Sequence, residues 1–161
     1  MWVRHIADSA QLLRFVPRGT VRKGTWLDLG TGAGFPGLVI AALESDREVI
    51  LVESRGRRVE WLQRMVREMD LPNCRVEGSR LEVVKPLKAK VISARAFAPL
   101  EKLLRLSAPF SAPLSTKATT YLLPKGRSAA QELSEMPRKI REMFHVEQSL
   151  TDEEAGIIVS K

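Results

Sequence analysis

A glycine-rich segment, residues 28–34, reads Asp-Leu-Gly-Thr-Gly-Ala-Gly and carries a carboxylate two residues before the first of three alternating glycines. A second carboxylate, Glu53, ends the next apolar run, 49–52. Glycines let a backbone approach a ligand closely, and a carboxylate on the neighbouring strand accepts hydrogen bonds from ribose hydroxyls. The pattern predicts a strand, a tight turn and a helix start wrapped around a nucleoside-containing cofactor.

Three interpretations of this turn are open: an S-adenosylmethionine site, an NAD site and a purely structural glycine turn. Asp28 would repel a pyrophosphate, but it suits the ammonium end of S-adenosylmethionine, directly or through water. Gly30, Gly32 and Gly34 would let the backbone approach the methionine and ribose. S-adenosylmethionine is therefore favoured. The alternatives are turn capping for Asp28 and a solvated strand-end charge for Glu53.

The acceptor is indicated by the segment after the fourth expected strand, 93–99, which reads Ser-Ala-Arg-Ala-Phe-Ala-Pro. It lacks the Asn/Asp-Pro-Pro-aromatic pattern of enzymes that methylate exocyclic amines. Cys74 lies off that edge and is expected to be a small core residue, not a nucleophile. Phe97 could stack on a base, and Arg95 could reach a base edge or the donor's carboxylate. An aromatic ring and a cation beside the methyl donor suit guanine N7 as the acceptor. The alternative roles are core packing for Phe97 and a surface ion pair for Arg95.

Charge and composition narrow the setting of this chemistry. The net charge is +7, and segment 85–127 holds nine Lys or Arg against one acid, which favours a polyanionic partner over lysines that serve only solubility. The lone cysteine excludes an internal disulfide, and the longest apolar run, 38–43, is too short to span a bilayer. We expect a cytoplasmic protein with one domain, 1–161, whose N-terminal helix and loop occupy 1–24.

The elements that must position these residues alternate between strand and helix through residue 136. The fold class expected is α/β: a Rossmann-like, seven-stranded class I methyltransferase sheet, mostly parallel, with helices on both faces and a C-terminal antiparallel hairpin. Arginines 57, 58, 64 and 67 are expected to be solvated. The expected helices are 3–15, 37–43, 56–69, 100–106 and 129–136, with a continuation at 138–143, and the expected strands are 26–29, 49–52, 74–77, 90–93, 119–123, 144–150 and 156–160.

Segments 3–9, 28–37, 93–100 and 124–127 together resemble the glucose-inhibited division protein B (RsmG) family over essentially the whole chain. That family methylates N7 of a guanine in a decoding-region loop of 16S ribosomal RNA. The resemblance implies S-adenosylmethionine as cofactor, 16S ribosomal RNA or the small subunit as partner, and neither a metal nor a membrane. We expect a monomer.

The resemblance also implies roles for single residues. Gly30 and Phe35 would contact the donor, Glu53 would hold the ribose, and Arg95 would lie at the donor and acceptor pocket as the catalytic residue. Leu81 and Glu82 would flank the adenine. The residues expected to face the RNA are Arg4, His5, Lys125 and Arg127, with helix capping or core packing as the alternative for His5.

Family members usually carry several dozen helical residues before the 3–9 segment, whereas this sequence starts at Met1. This difference and the open interpretation of the glycine turn leave two hypotheses beside the guanine-N7 methyltransferase. One is a donor-binding RNA module without turnover, and the other is an NAD-dependent oxidoreductase.

Overall fold

The computed structural model of the chain describes residues 2–17 and 24–161. Its strands are β1 (Trp26–Leu29), β2 (Val49–Val52), β3 (Cys74–Glu77), β4 (Val91–Ala94), β5 (Thr120–Gly126), β6 (Phe144–Gln148) and β7 (Gly156–Ser160). They form one seven-stranded sheet in the order β3-β2-β1-β4-β5-β7-β6. The first five strands are parallel, and β7 pairs antiparallel with both β5 and β6.

The central strands are apolar on both faces because helices cover both sides of the sheet. All four residues of β1, β2 and β4 are buried, as expected for parallel strands inside a domain. The helices are α1 (Trp2–Ala10), α2 (Gly37–Leu43), α3 (Gly56–Glu68), α4 (Leu100–Ser107), α5 (Ala129–Ser134) and α6 (Arg138–Arg141). Trp26 and Leu51 pack on the α2 and α3 side, whereas Leu27 and Ile50 pack on the α4 and α5 side.

The parallel register brings three chain segments to one edge. Leu29, Val52 and Ala94 lie side by side as the last residues of β1, β2 and β4. The glycine turn, Glu53 and Arg95 follow them directly, so residues far apart in sequence meet over the carboxyl ends of the strands.

The predicted fold class is confirmed, and so is most of the element order. β1, α2, β2 and β3 have the predicted bounds, and Pro137 separates α5 from α6 as expected. The first helix ends at Ala10 and continues as a 3₁₀ helix, Gln11–Phe15, and β5 runs three residues further than expected. The predicted loop 17–24 lies mostly outside the described residues. Within the described ranges, no helix is long and apolar enough to cross a membrane.

The basic segment 85–127 does not form one surface. Lys90 precedes β4 and Lys117 precedes β5, so both lie at the amino-terminal edge of the sheet. Arg95 and Arg127 follow the carboxyl ends of the same two strands. A four-residue strand separates the two edges by about 13 Å, so only part of this charge borders the glycine turn.

Candidate functional site

The glycine turn is held open by backbone geometry. Gly30 and Gly32 have φ values of 62° and 59°, in the left-handed region that glycine adopts without strain. A Cβ on Gly30 would lie 2.8 Å from the Phe97 ring, so that ring packs directly on the turn. A Cβ on Gly32 would meet only the Arg58 Nη1 at 3.8 Å and a backbone oxygen at 3.9 Å. The space above Gly32 is therefore open to a ligand.

Asp28 lies beneath this turn and is fully buried. Its Oδ2 accepts hydrogen bonds from the Thr31 hydroxyl at 2.6 Å and the Gly37 N–H at 3.0 Å. Its Oδ1 accepts from the Ser93 hydroxyl at 2.8 Å, and Ser93 in turn accepts from the Trp26 indole at 2.8 Å. Burial raises the pKa of Asp28 to about 6, against the opposing effect of these hydrogen bonds. The carboxylate ties β1, the turn and β4 together.

Glu53 closes the other side of the turn and is only 6% exposed. Its Oε2 accepts a hydrogen bond from the Gly32 N–H at 3.1 Å. Its Oε1 accepts from the backbone N–H groups of Ser54 at 2.9 Å and Arg55 at 3.0 Å. The Arg58 Nη1 lies 3.8 Å from Oε2. A carboxylate has about four acceptor positions, so this rigidly held group keeps capacity for a ligand hydroxyl.

Two adjoining cavities cover the turn and share Gly30, Arg58 and Ala96. The first, of about 390 Å³, lies between Glu53, Phe97 and the 81–82 segment. Leu81 is 2% exposed and packs in the core, so it offers backbone to this cavity, whereas Glu82 is exposed.

The second cavity, of about 370 Å³, is lined by Gly32, Phe35, His5, Arg58 and Arg95. Asp28 and Gly34 line neither cavity. A Cβ on Gly34 would lie 2.7 Å from Leu38 Cγ. This glycine therefore serves the packing of α2.

Arg95 and His5 meet at the rim of the second cavity. The Arg95 Nη1 lies 3.1 Å from His5 Nδ1, and the His5 ring packs on Phe35 with centroids 5.6 Å apart. Arg95 also lines a third cavity, of about 280 Å³, together with Arg4, Asp8 and Asp152. The exposed guanidinium of Arg95 therefore borders both the second and the third cavity.

The other predicted RNA-facing residues differ in exposure. The side chain of Lys125 is 9% exposed, and its Nζ donates to the Ala98 carbonyl at 2.8 Å and to Glu132 Oε1 at 3.1 Å. Arg4 and Arg127 are exposed and pair with Asp152 and Glu154, respectively. Phe97 is half-buried and packs against the α4 side of the core, which agrees with the alternative of core packing for this residue.

Arg58 also belongs to the candidate site, although the sequence pattern predicted solvated arginines on α3. It lies in the first turn of α3, five residues after Glu53, and lines both turn cavities. Its position directly after the Glu53 loop was the available signal. Cys74 packs in the core, and burial raises the pKa of its thiol to about 12. No three His, Cys, Asp or Glu side chains within the described ranges are grouped to hold a metal ion.

Solved structures with a similar fold include methyltransferases. The chain aligns over 99% of its length, with a TM-score of 0.72 and 12% identity, with 85% of a putative S-adenosylmethionine-dependent methyltransferase from Methanococcus maripaludis. It aligns with 82% of a chain of the fibrillarin/Nop5p complex at a TM-score of 0.70 and 14% identity. The fold is that of the class I S-adenosylmethionine-dependent methyltransferases.

The chain belongs to the rRNA small subunit methyltransferase G family, whose model matches residues 1–156. It is 62% identical over 161 residues to the ribosomal RNA small subunit methyltransferase G of Erythrobacter litoralis, covering 74% of that protein. Over the same length it is 59% identical to the protein of that name from Novosphingobium aromaticivorans, covering 68% of it. S-adenosylmethionine is the cofactor of this family, so the NAD-dependent alternative is wrong.

Proposed function

We propose that this protein transfers a methyl group from S-adenosylmethionine to N7 of a guanine in 16S ribosomal RNA. The observation that carries the proposal is the position of Arg95, which borders the second cavity, above the glycine turn, and the third cavity at once. A methyltransferase needs two such adjoining sites, one for the donor and one for the acceptor. The names of its relatives support ribosomal RNA as the substrate.

The two turn cavities fit the two halves of the donor. In the first, Glu53 would accept hydrogen bonds from the ribose hydroxyls, and the backbone at Leu81 and Glu82 would flank the adenine. In the second, Gly32, Phe35 and Arg95 would surround the methionine moiety. We assign Asp28 and Gly34 an indirect part, because they hold the turn and the start of α2 without lining a cavity.

The third cavity would receive the target base. When bound, S-adenosylmethionine supplies a sulfonium methyl group, which guanine N7 accepts through a free lone pair without losing a proton. No general base is needed, so the task of these residues is to place the nitrogen about 3–3.5 Å from the methyl carbon. Asp8 and Asp152 line this cavity, and their carboxylates are suited to accept hydrogen bonds from the N1–H and amino group of guanine.

We propose that Arg4 and Arg127 contact RNA phosphates, because both are exposed near the third cavity. Lys125 would act differently: it tethers the 95–98 segment from inside. Phe97 would support the turn from the α4 side and present its exposed edge to the first cavity. We propose that the protein acts as a monomer, in the cytoplasm where its ribosomal substrate is found.

The test is transfer of radiolabelled methyl groups to small subunits that lack this modification, followed by mapping of the modified base. We expect incorporation at one guanine N7, and loss of incorporation in Arg95→Ala with the fold retained. Arg57→Ala, on the exposed face of α3, is the matched control and should behave as wild type. Wild-type rates in Arg95→Ala would remove Arg95 from the site.

Calorimetry with S-adenosylhomocysteine separates the enzyme from a donor-binding module without turnover. Glu53→Ala should weaken binding by about 1–3 kcal/mol, the cost of leaving ribose hydroxyls without their acceptor. Wild-type binding of the thioether without any transfer to RNA would favour the module. Unchanged affinity in Glu53→Ala would exclude the ribose role.

A further inference from the structure

His5 lies at the point where α1 meets the segment after β4, and its ring contacts two residues of the proposed donor site. We infer that His5 is a positioning residue that orients Arg95 through the lone pair of its neutral Nδ1 atom. The inference deepens the proposed function, because it concerns the residue proposed to join the donor and acceptor cavities.

The hydrogen bond fixes the state of the histidine ring. An arginine guanidinium only donates hydrogen bonds and stays charged at all physiological pH values. The Arg95 Nη1 is 3.1 Å from His5 Nδ1, so Nδ1 must be the acceptor and the ring proton must lie on Nε2. A proton on Nδ1 would remove the acceptor and place a second positive charge against the guanidinium.

His5 can hold Arg95 in place because α1, the helix that carries His5, is itself fixed to the rest of the domain. The Gln11 amide donates to the Ser149 hydroxyl at 3.2 Å, and its carbonyl oxygen accepts from the Leu150 N–H at 2.9 Å. The Thr151 hydroxyl donates to Asp8. These contacts fasten α1 and the 3₁₀ helix after it to the loop between β6 and β7. The ring itself rests on Phe35, at an interplanar angle of 31°.

Arg95 has no other hydrogen bond among the described residues, so His5 is the protein group that fixes its direction. Charged side chains reach the surroundings of His5 from several elements. Arg95 and Arg58 share its cavity from other elements, and Arg4 precedes it on α1. Asp8, one turn further along α1, is engaged by Thr151. No acidic side chain in the described part of the chain lines this cavity.

The test compares two substitutions of His5 that separate its acceptor from its ring. His5→Asn keeps an acceptor near the Nδ1 position and cannot titrate, whereas His5→Phe keeps the ring on Phe35 and has no acceptor. Methyl transfer by the full chain is measured between pH 5 and 8, the range in which histidine side chains generally change charge. The chain holds two histidines, so His145→Asn is the matched control.

We expect wild type and His145→Asn to lose activity together as the pH falls. His5→Asn should remain within about threefold of the wild-type rate at pH 7.5 and lose the acidic limb of the profile. At pH 7.5, His5→Phe should be slower than wild type by about tenfold or more with its fold retained, since the hydrogen bond to the charged guanidinium is lost. The two rates should converge at acidic pH, where wild type has also lost the acceptor. An acidic limb that persists in His5→Asn, or wild-type rates in His5→Phe at pH 7.5, would overturn the inference.

A second readout does not depend on activity. The ring nitrogen shifts of His5, measured by ¹⁵N NMR at pH 7.5, should report the Nε2–H tautomer in wild type and a mixture of tautomers in Arg95→Ala. A Nδ1–H tautomer in wild type contradicts the inference. If wild type methylates no RNA at any pH, the proposed function fails, while the NMR result still decides whether His5 holds Arg95.

Discussion

Asp28 gives the protein a pH-dependent stability of predictable sign. The side chain is fully buried, and burial raises its pKa from 3.8 to about 6. A carboxyl group with a raised pKa binds its proton more tightly in the folded state, so it favours folding most below pH 4. This contribution is lost as the pH rises from about 4 to 6 and is absent at higher pH. A shift of about two pKa units corresponds to about 3 kcal/mol.

The perturbation that isolates this effect is Asp28→Asn, which cannot titrate. An amide oxygen can still accept from Gly37 and Thr31, and Ser93 can turn to accept from the new amide. We expect the stability of wild type minus that of Asp28→Asn to fall by about 3 kcal/mol between pH 3 and pH 7. For a chain of this size, the difference in melting temperature should change by about 6–12 °C.

The assay is calorimetric unfolding of both proteins at intervals of half a pH unit. The contributions of all other titrating groups cancel in the difference between the two stabilities. Asp46→Asn, an exposed aspartate between α2 and β2, is the control and should track wild type. A difference that does not depend on pH, or one that grows with rising pH, refutes the reasoning. If Asp28→Asn does not fold, ¹³C titration of the Asp28 carboxyl in wild type gives the same answer, with an expected midpoint near 6.

Three further predictions concern packing, a buried cation and RNA affinity. Gly34→Ala should cost about 2–4 kcal/mol in denaturant unfolding, since its φ is 91° and a Cβ would enter α2, whereas Gly56→Ala, with open space around it, should be neutral or stabilising. Lys125→Met should lower the free energy of unfolding by about 2–3 kcal/mol and slow methyl transfer, because a nearly buried ion pair is broken. Arg127→Ala, at an exposed ion pair, should lower it by less than about 1 kcal/mol. Equal effects of the two substitutions would contradict the role of Lys125 as a tether. RNA affinity should fall steeply with salt, and the slope should drop by about one unit in Arg127→Ala but stay unchanged for a neutral substitution of Lys117, which lies at the opposite edge. A flat salt response would make this charge a solubility feature.

The sequence was sufficient where the signal is local. Residues 26–37 and 49–53 hold an apolar run, a turn and a carboxylate within a few positions of each other, and those types and spacings determine β1, the glycine turn, α2 and the place of Glu53. Alternation of buried strands and amphipathic helices determined the parallel sheet, because each element must bury its apolar face against another.

Burial and long-range pairing were decided only by the tertiary structure. Lys125 and Arg127 stand two residues apart in one basic motif, yet Lys125 is nearly buried against Glu132 and Arg127 points to solvent.

The sequence by itself predicted a nucleoside-containing methyl donor at the turn after β1, since that turn and its acceptor carboxylate are built from neighbouring residues. Only the tertiary structure decided how the site is held. The Asp28 carboxylate meets Ser93, 65 positions along the chain, and His5 meets Arg95, 90 positions along. The physical reason is that desolvation and hydrogen-bond partners depend on how elements pack, and parallel strands pair residues that their crossover helices separate in sequence.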